Sequence, residues 1–156
     1  MALKPLTVGD RAPNVSAVAH DGRRVALSEF LGRGAVVLFF YPKDGTSVCT
    51  KEACAFRDAY EDFIQAGAVV LGVSSDDEET HRRFAERQNL PFTLLSDPDK
   101  ALRRAFGVPK TWGFLPGRVT YILDRDGIIR HVFNAQFTAD RHVVEALATV
   151  RRLAAS

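Results

Sequence analysis

The pattern of apolar positions divides the chain into alternating strands and helices. Two continuous apolar runs, Ala35 to Tyr41 and Ala68 to Ser74, are rich in β-branched residues and show no polar alternation. Such runs are typical of strands buried on both faces, in a sheet that helices cover. Between them, the segment from Cys49 to Ala66 has apolar residues spaced for one helical face. The sequence therefore predicts a strand, a helix and a second, parallel strand.

The remaining elements are predicted from periodicity, turn residues and helix ends. They are a hairpin over Val15 to Ala26 that turns at Asp21 and Gly22, a helix from Glu79 to Gln88, a short strand near Thr93 to Leu95, a short helix around Ala101 to Phe106, strands over Val119 to Leu123 and Ile128 to Phe133, and a closing helix from Asp140 to Leu153. Asp126 and Gly127 mark the turn between the last two strands. This order predicts an α/β protein with a thioredoxin-like fold, in which helices flank a central mixed β-sheet preceded by an N-terminal β-hairpin.

Length and composition indicate one domain. The chain has 156 residues, of which 46% are hydrophobic and 26% charged, enough for one buried core over residues 1–156. The formal net charge is +2, and the basic residues come as scattered pairs, so no nucleic-acid partner is expected. No run of about 18 apolar residues occurs, and the N-terminus lacks a signal-peptide pattern. These features predict a soluble, cytoplasmic protein without a membrane partner, although a transit peptide already removed would leave no trace.

The two cysteines, Cys49 and Cys54, are the first candidates for chemistry. Two are too few for a secreted disulfide framework, so the pair is either incidental or chemical. Cys49 falls in the first turn of the predicted helix, where unpaired backbone N–H groups and the positive end of the helix dipole favour a thiolate. A helix dipole stabilises an anion by at most about 2 kcal/mol. A strongly acidic thiol would therefore need a cation as well, and arginine is the better candidate.

Cys54 lies five residues further along the same predicted helix, rotated by about 140° and advanced by about 7.5 Å. This places it on the polar flank, beside Asp58, Glu61 and Gln65, and too far from Cys49 for a disulfide. A bridge would require the first turns of the helix to unwind, and the strained loop it closes would be easily reduced. Easy reduction suits a catalytic disulfide. The plain alternative is that both cysteines are small residues in a helix.

Metal and cofactor sites receive less support. A zinc site would find at most two ligands in this cysteine spacing. The four histidines lie in unrelated segments and are expected at the surface or in packing; they are His20, His81, His131 and His142. The acidic residues 76–79 stand near a helix start, which explains them without a metal. No Gly-x-Gly-x-x-Gly or other nucleotide signature occurs, so no bound cofactor is expected.

The segment FYPKDGTSVCTKEAC resembles the peroxiredoxin family, in the branch called peroxiredoxin Q or bacterioferritin comigratory protein. Pro42, Thr46 and Cys49 match its P-x-x-x-T-x-x-C motif. Cys54 stands where that branch carries its resolving cysteine, and Arg118 in GRVTYILD matches the family's active-site arginine. The likeness extends over nearly the whole chain. One departure is the Ser-Val dipeptide before Cys49, where many relatives read Pro-Gly and so have a proline that fixes the backbone angle at the helix start.

This resemblance implies a thiol-dependent peroxidase for hydrogen peroxide and organic hydroperoxides. Cys49 would attack the peroxide, become a sulfenic acid, and then form an intramolecular disulfide with Cys54 that a thioredoxin-like dithiol reduces. Arg118, the Thr46 hydroxyl and backbone N–H groups near Cys49 would hold the peroxide oxygens. Pro42 would shape the pocket. Sulfur would carry the electrons without a cofactor, and a resolving cysteine in the same chain predicts a monomer.

Some alternatives stay open from the sequence. Glu52 could orient Arg118, although a glutamate near a helix start is expected at the surface. Trp112 and Phe114 could line the pocket mouth for organic hydroperoxides, with ordinary loop packing as the alternative. A thioredoxin-type thiol–disulfide oxidoreductase is a rival function that the Cys-x4-Cys spacing disfavours. A peroxide sensor or relay, or a holdase chaperone, is another rival, because the same reactive Cys49 would serve it.

Overall fold

The computed structural model of the protein describes residues 5–110 and 117–155. Its strands join in one mixed sheet in the order β2-β1-β5-β4-β3-β6-β7. The strands are β1 (Ser16–Ala19), β2 (Arg24–Ala26), β3 (Val36–Phe40), β4 (Val69–Ser74), β5 (Thr93–Ser96), β6 (Val119–Leu123) and β7 (Ile129–Asn134). The helices are α1 (Ser47–Asp58), α2 (Tyr60–Gln65), α3 (Glu78–Gln88), α4 (Ala101–Phe106) and α5 (Ala139–Ala155). None of these helices has the length and apolar character needed to span a bilayer.

Strand β3 is buried on both faces, as its continuous apolar run predicts. Val37 and Phe39 belong to the core beneath α1, α2, α3 and α5, whereas Leu38 and Phe40 belong to a second core beneath the N-terminal hairpin and α4. Because both faces of the central strand are covered, alternation with polar residues is not needed. The two cores confirm that the sheet is the middle layer of the fold.

The strand directions confirm the predicted mixed sheet. β3, β4 and β5 run parallel, while β6 pairs antiparallel with β3, and β7 pairs antiparallel with β6. The N-terminal hairpin adds two strands through antiparallel pairing of β1 with β5. Its turn contains Gly22 at φ +92°, and the β6–β7 turn contains Gly127 at φ +82°. Both turns lie where the Asp-Gly dipeptides predicted them, because glycine adopts positive φ without steric cost.

The helix predicted from Cys49 to Ala66 is instead two helices. α1 begins at Ser47, and Ala59, with φ −96° and ψ 4°, separates it from α2. Phe56 of α1 and Phe63 of α2 still meet in the core, with ring centroids 5.7 Å apart. The apolar periodicity therefore continues across the break, and for this reason it could not reveal the break.

The sheet topology brings distant segments together at the carboxyl end of β3. The chain leaves β3 through residues 41–46 and enters α1, which therefore begins at this edge. Val119, the first residue of β6, pairs with Phe40, the last residue of β3. Arg118 directly precedes Val119 and so lies beside the start of α1. Trp112 and Phe114, the suggested pocket residues, lie outside the described residues.

Candidate active site

The centre of the site is a buried contact between Cys49 and Arg118. Cys49 lies in the first turn of α1 with 1% of its surface exposed, and Arg118 is 2% exposed. An Nη2 hydrogen of Arg118 is directed at the Cys49 sulfur, with 3.1 Å between nitrogen and Sγ. A guanidinium at this distance, in a site that excludes most water, favours the thiolate form of a cysteine. Arg118 is therefore the cation that the sequence argument required near Cys49.

Three different groups hold the Arg118 guanidinium in place. Nε donates to the backbone carbonyl of Gln136 at 2.8 Å, Nη1 donates to Glu52 Oε1 at 2.6 Å, and Nη2 donates to Cys49. The expectation of a surface position for Glu52 is wrong, since this carboxyl group is fully buried. Glu52 is three residues after Cys49 on α1, so both side chains lie on the helix face that meets Arg118. The alternative contact between Glu52 and Arg118 is the one that the structure contains.

Behind Glu52, His142 of α5 completes a polar group in the core. Its Nδ1 atom lies 3.4 Å from Glu52 Oε2 and 2.7 Å from Thr120 Oγ1. Burial raises the pKa of Glu52 to about 7, against the opposing effect of Arg118, and burial lowers the pKa of His142 to about 4. His142 is therefore neutral at neutral pH. Sequence reasoning did not connect it to the site, because no local pattern relates α5 to α1.

The loop before α1 leaves the helix start open. Thr46 occupies the N-cap position of α1, but its hydroxyl donates to the carbonyl of Lys43 at 2.9 Å instead of accepting from a helix N–H. The first backbone N–H groups of α1 therefore receive no cap from this side chain. Thr46 is exposed and Pro42 is half-buried. Thr46 and Cys49 thus lie at the start of α1, where N–H groups without a side-chain cap can donate to an oxygen ligand, and Pro42 precedes them in the loop that leads into the helix.

A second buried network of hydrogen bonds holds the loop between β3 and α1. Asp44 Oδ1 accepts from the Tyr41 hydroxyl at 2.5 Å, and its Oδ2 lies 2.5 Å from His81 Nδ1. His81 Nε2 lies 3.0 Å from the carbonyl of Leu95, to which it must donate, because a carbonyl can only accept. A single proton then lies between His81 Nδ1 and Asp44. His81 is fully buried and joins α3 to the active-site loop, a structural role more specific than the packing expected for the histidines.

The same network extends to β4. Asp76 accepts from the backbone N–H of Asp44 at 2.8 Å and from the hydroxyl of Ser74 at 2.5 Å. Asp44, Asp76 and His81 each bring a ligand-type atom within 4.8 Å of the others. Asp76 thus holds the loop before α1 through the Asp44 N–H. Asp77 has a different role, because it is the N-cap of α3 and accepts from the Thr80 N–H. The predicted role of acidic residues at the helix start is confirmed for Asp77 and for Glu78 and Glu79, which lie in the first turn of α3.

Replacing His81 by leucine is expected to destabilise the fold by about 3 kcal/mol, because Asp44 would keep a buried charge without its partner. Urea denaturation at neutral pH measures the change. His131→Leu is the matched control, since His131 forms a partly exposed pair with Glu145 at 3.2 Å. A pair of that kind contributes less than about 1 kcal/mol. Equal losses in the two variants would show that the Asp44–His81 pair does not stabilise the loop.

Arg103 of α4 joins the two chain segments that carry the site. This buried guanidinium donates to the carbonyl of Tyr41 at 2.6 Å and to the carbonyl of Gly117 at 3.0 Å. These carbonyls immediately precede Pro42 and Arg118. Burial lowers the pKa of Arg103, and the neighbouring charges of Asp97 and Cys49 oppose that shift. Arg103 therefore adds positive potential on the side of Cys49 and holds the two loops in register.

Cys54 lies on the same helix as Cys49, and both cysteines are free thiols. Its sulfur is half-buried and lies 3.4 Å from Gln88 Oε1 of α3. The sequence did not predict this contact with Gln88. Of the three predicted neighbours, Asp58 lies in α1 with Cys54, whereas Glu61 and Gln65 lie in α2, beyond the break at Ala59. A disulfide between two cysteines five residues apart in an intact helix is geometrically excluded. Bridge formation requires α1 to open.

The chain is similar to known proteins in both sequence and structure. The model of the AhpC/TSA family matches residues 8–132. The chloroplastic peroxiredoxin Q of Oryza sativa subsp. japonica is 49% identical over 146 residues, which are 93% of this chain and 67% of that protein. The crystal structure of peroxidoxin BcpB from Mycobacterium tuberculosis has a TM-score of 0.88 at 36% identity and covers 95% of this chain and 98% of its own. The bacterioferritin comigratory protein of Xanthomonas campestris, studied for alkyl peroxide reduction, has a TM-score of 0.82 at 30% identity and covers 99% of each chain.

The fold and the cysteine–arginine contact together define a class of enzyme, the thiol-dependent peroxidases built on a thioredoxin-like fold. Such enzymes reduce a peroxide with a cysteine and are recycled by a thioredoxin-type reductant. The chain belongs to the AhpC/TSA family of peroxiredoxins, in its peroxiredoxin Q branch. The family and the fold implied by the motif around Cys49 are therefore confirmed.

Proposed function

We propose that Cys49 is the residue with which this protein attacks hydroperoxides. The observation that carries the proposal is the buried contact of 3.1 Å between Cys49 Sγ and Arg118. The thiolate attacks one oxygen in line with the O–O bond, so that an S–O bond forms and the O–O bond breaks. Sulfur is oxidised by two electrons, and the leaving oxygen takes up a proton. The product on the protein is a sulfenic acid.

The groups around Cys49 would stabilise the charge that develops during this step. Arg118 and the uncapped N–H groups at the start of α1 are donors already fixed in position, which is the arrangement that lowers the free energy of a transition state most effectively. The Thr46 hydroxyl donates to Lys43, so its lone pairs are left to accept from the O–H of a hydroperoxide. Pro42, half-buried at the other side, would limit the access of water to the thiolate.

Cys54 would then attack the sulfenic acid on Cys49 and release water. This step requires α1 to open over the residues between the two cysteines, which also separates Cys54 from Gln88. The short loop closed by the disulfide gains little from loop entropy and is therefore easily reduced. A thioredoxin-like dithiol would regenerate both thiols by exchange.

Substrates and assembly complete the proposal. The alkyl peroxide reduction described for the Xanthomonas campestris relative supports organic hydroperoxides as substrates beside hydrogen peroxide. A monomer is sufficient, because both cysteines lie in α1 of one chain. The single domain over residues 1–156 and the cytoplasmic location remain predictions from the sequence.

Rapid mixing of the reduced protein with hydrogen peroxide and with a bulky hydroperoxide tests the proposal. We expect one equivalent of peroxide to be consumed in a fast first phase, followed by formation of an intramolecular disulfide. The mass of the oxidised protein should be lower by two hydrogen atoms. Slow peroxide consumption without a disulfide would contradict the proposal. A mixed disulfide with a partner protein, trapped through Cys49 in Cys54→Ser, would favour the relay function instead.

Cys54→Ser is expected to preserve the first oxidation and to abolish thioredoxin-driven cycling, because the sulfenic acid then has no partner in the chain. The oxidised variant should be heavier by one oxygen atom. Gln88→Leu is the matched control, since it removes the contact of Cys54 and keeps both thiols. Continuous turnover of Cys54→Ser with thioredoxin at the rate of this control would rule out a resolving role for Cys54.

A further inference from the structure

Three buried polar side chains form a cluster that contacts Arg118 through Glu52. They are Glu52 of α1, Thr120 of β6 and His142 of α5, and none is more than 1% exposed. The steps proposed above need Arg118 but assign nothing to Thr120 or His142. A polar group buried to this extent costs free energy unless its hydrogen bonds are made, so their arrangement needs a physical reason.

The hydrogen-bond partners of His142 and Thr120 determine which of their atoms carry hydrogen. His142 Nε2 lies 2.7 Å from the carbonyl of Ala135, which can only accept, so Nε2 carries the hydrogen. The imidazole is neutral, because burial lowers the pKa of His142 to about 4. Nδ1 is therefore a bare acceptor, and it receives the hydrogen of the Thr120 hydroxyl at 2.7 Å. Thr120 offers one hydrogen to the group.

The Glu52 carboxyl group brings a second acceptor close to His142 Nδ1. Its Oε1 accepts from Arg118, whereas Oε2 lies 3.4 Å from His142 Nδ1 and has no hydrogen-bond partner within the part of the chain that the structure describes. An ionised Glu52 would direct a lone pair of Oε2 at the lone pair of Nδ1, which the Thr120 hydrogen already occupies. A proton on Oε2 replaces this repulsion with an attraction, because it shares the Nδ1 lone pair with the Thr120 hydrogen. This protonation agrees with the burial that raises the pKa of Glu52 to about 7.

We propose that Glu52 holds a proton, supported by His142, while Cys49 is a thiolate, so that Arg118 pairs with one anion at a time. His142 is then a positioning residue that acts on Cys49 through Glu52 and Arg118. The inference rests on the proposed role of Cys49 as nucleophile. It adds a buried proton-holding pair, Glu52 and His142, to that site.

The charged groups around the pair favour this arrangement. Arg118 precedes β6 and contacts both Glu52 and Cys49, so two acidic groups on α1 compete for one guanidinium. Arg103 of α4 interacts electrostatically with Cys49, which favours the charge on sulfur. His142, the titratable group that faces Glu52 from α5, is neutral and adds no positive charge to hold a carboxylate.

The proton balance of the reaction agrees with the proposal. Before reaction, the site holds a thiolate and a protonated Glu52; afterwards it holds a neutral sulfenic acid and an ionised Glu52 paired with Arg118. The proton that leaves Glu52 equals the proton that the leaving oxygen of the hydroperoxide takes up. The net charge of the site is unchanged, so no uncompensated charge is created in a buried environment.

Carbon-13 NMR of the full-length reduced protein with labelled glutamate carboxyl groups tests this directly. The Glu52 signal is assigned by its loss in Glu52→Gln. We expect this carboxyl group to titrate near pH 7 in the wild type and about one to two pH units lower in Cys49→Ser, where Arg118 serves Glu52 alone. A low midpoint that is the same in both proteins would overturn the proposal. Peroxide consumption by the wild type tests the role of Cys49 separately, so the two failures are distinguishable.

Substitutions at His142 and at Thr120, which donates to it, should change the fraction of Cys49 in the thiolate form in opposite directions. His142→Gln can keep the bond to Ala135 but removes the Nδ1 acceptor, so Thr120 is free to donate to an ionised Glu52 and the thiolate is disfavoured. Thr120→Val removes the hydroxyl that donates to His142 Nδ1, so Glu52 keeps its proton more firmly and the thiolate is favoured. In a Cys54→Ser background, the pH profile of alkylation by iodoacetamide should move up for His142→Gln and down for Thr120→Val. His131→Gln should leave the profile unchanged. Shifts in the same direction for both variants would indicate a merely structural role.

Discussion

Replacement of Cys49 by serine is expected to abolish peroxide reduction while leaving the protein folded. A serine hydroxyl stays protonated at neutral pH and is a poor nucleophile without an adjacent base. Removal of an enzyme's nucleophile typically costs several orders of magnitude in rate. The hydroxyl is close in size to the thiol and can still accept from Arg118, so the buried guanidinium keeps a partner.

Stopped-flow kinetics with hydrogen peroxide measures the loss, and thermal unfolding followed by circular dichroism verifies that the variant is folded. Cys54→Ser is the control of equal size, because it removes the other sulfur of α1 and should retain the first oxidation. If Cys49→Ser consumed peroxide at a rate within tenfold of the wild type, another group would carry out the reaction. The assignment of Cys49 as the nucleophile would then be refuted.

Arg118→Ala is expected to have the second largest effect, with separate consequences for rate and stability. Loss of one fixed donor to a developing oxyanion typically reduces the rate by about 10²–10³-fold. The thiolate of Cys49 also loses its contact cation, which adds to the reduction at neutral pH. In addition, Glu52 Oε1 remains buried without the hydrogen bond that Arg118 donates, and a buried acceptor left without its donor typically costs about 1–3 kcal/mol.

A second substitution separates these two consequences. Glu52→Leu removes the buried carboxyl group that has lost its donor, so the double variant Arg118→Ala/Glu52→Leu should regain much of the free energy of unfolding and none of the peroxidase rate. Urea denaturation and rapid-mixing kinetics are measured on the same samples. Recovery of the rate together with stability would mean that Arg118 only supports the fold, and that its contact with Cys49 has no part in the reaction.

Local sequence patterns were sufficient to predict most of the architecture. The uninterrupted apolar runs at β3 and β4 predict strands covered on both sides, and the structure confirms this with a separate core on each face of β3. The two Asp-Gly dipeptides correctly predict the turns of the β1–β2 and β6–β7 hairpins. The break at Ala59 was not predictable, since Phe56 and Phe63 keep the apolar face continuous across it. Periodicity reports which face is buried, and it does not report whether one helix or two present that face.

The candidate site was predictable where a short motif or the family resemblance covers its residues. Pro42, Thr46 and Cys49 lie within one motif, and Arg118 was identified through its resemblance to the family. The burial of Glu52 depends on Arg118, which is 66 residues away, and the sequence alone gives no reason to bury a glutamate. His142 reaches the site only through the packing of α5 against α1. Partners that are distant in sequence are set by tertiary structure, so composition and spacing could not reveal them.

The rate of oxidation of each cysteine by hydrogen peroxide, measured against pH in proteins that retain one sulfur, decides whether Arg118 holds Cys49 as a reactive thiolate. In Cys54→Ser, the rate should be fast and should persist well below the pH of about 8.5 at which an ordinary thiol loses its proton. In Cys49→Ser, the remaining Cys54 should react slowly and only at higher pH. If the two proteins reacted with the same rate and the same pH profile, the contact with Arg118 would confer no special reactivity on Cys49, and the proposed peroxidase site would be wrong.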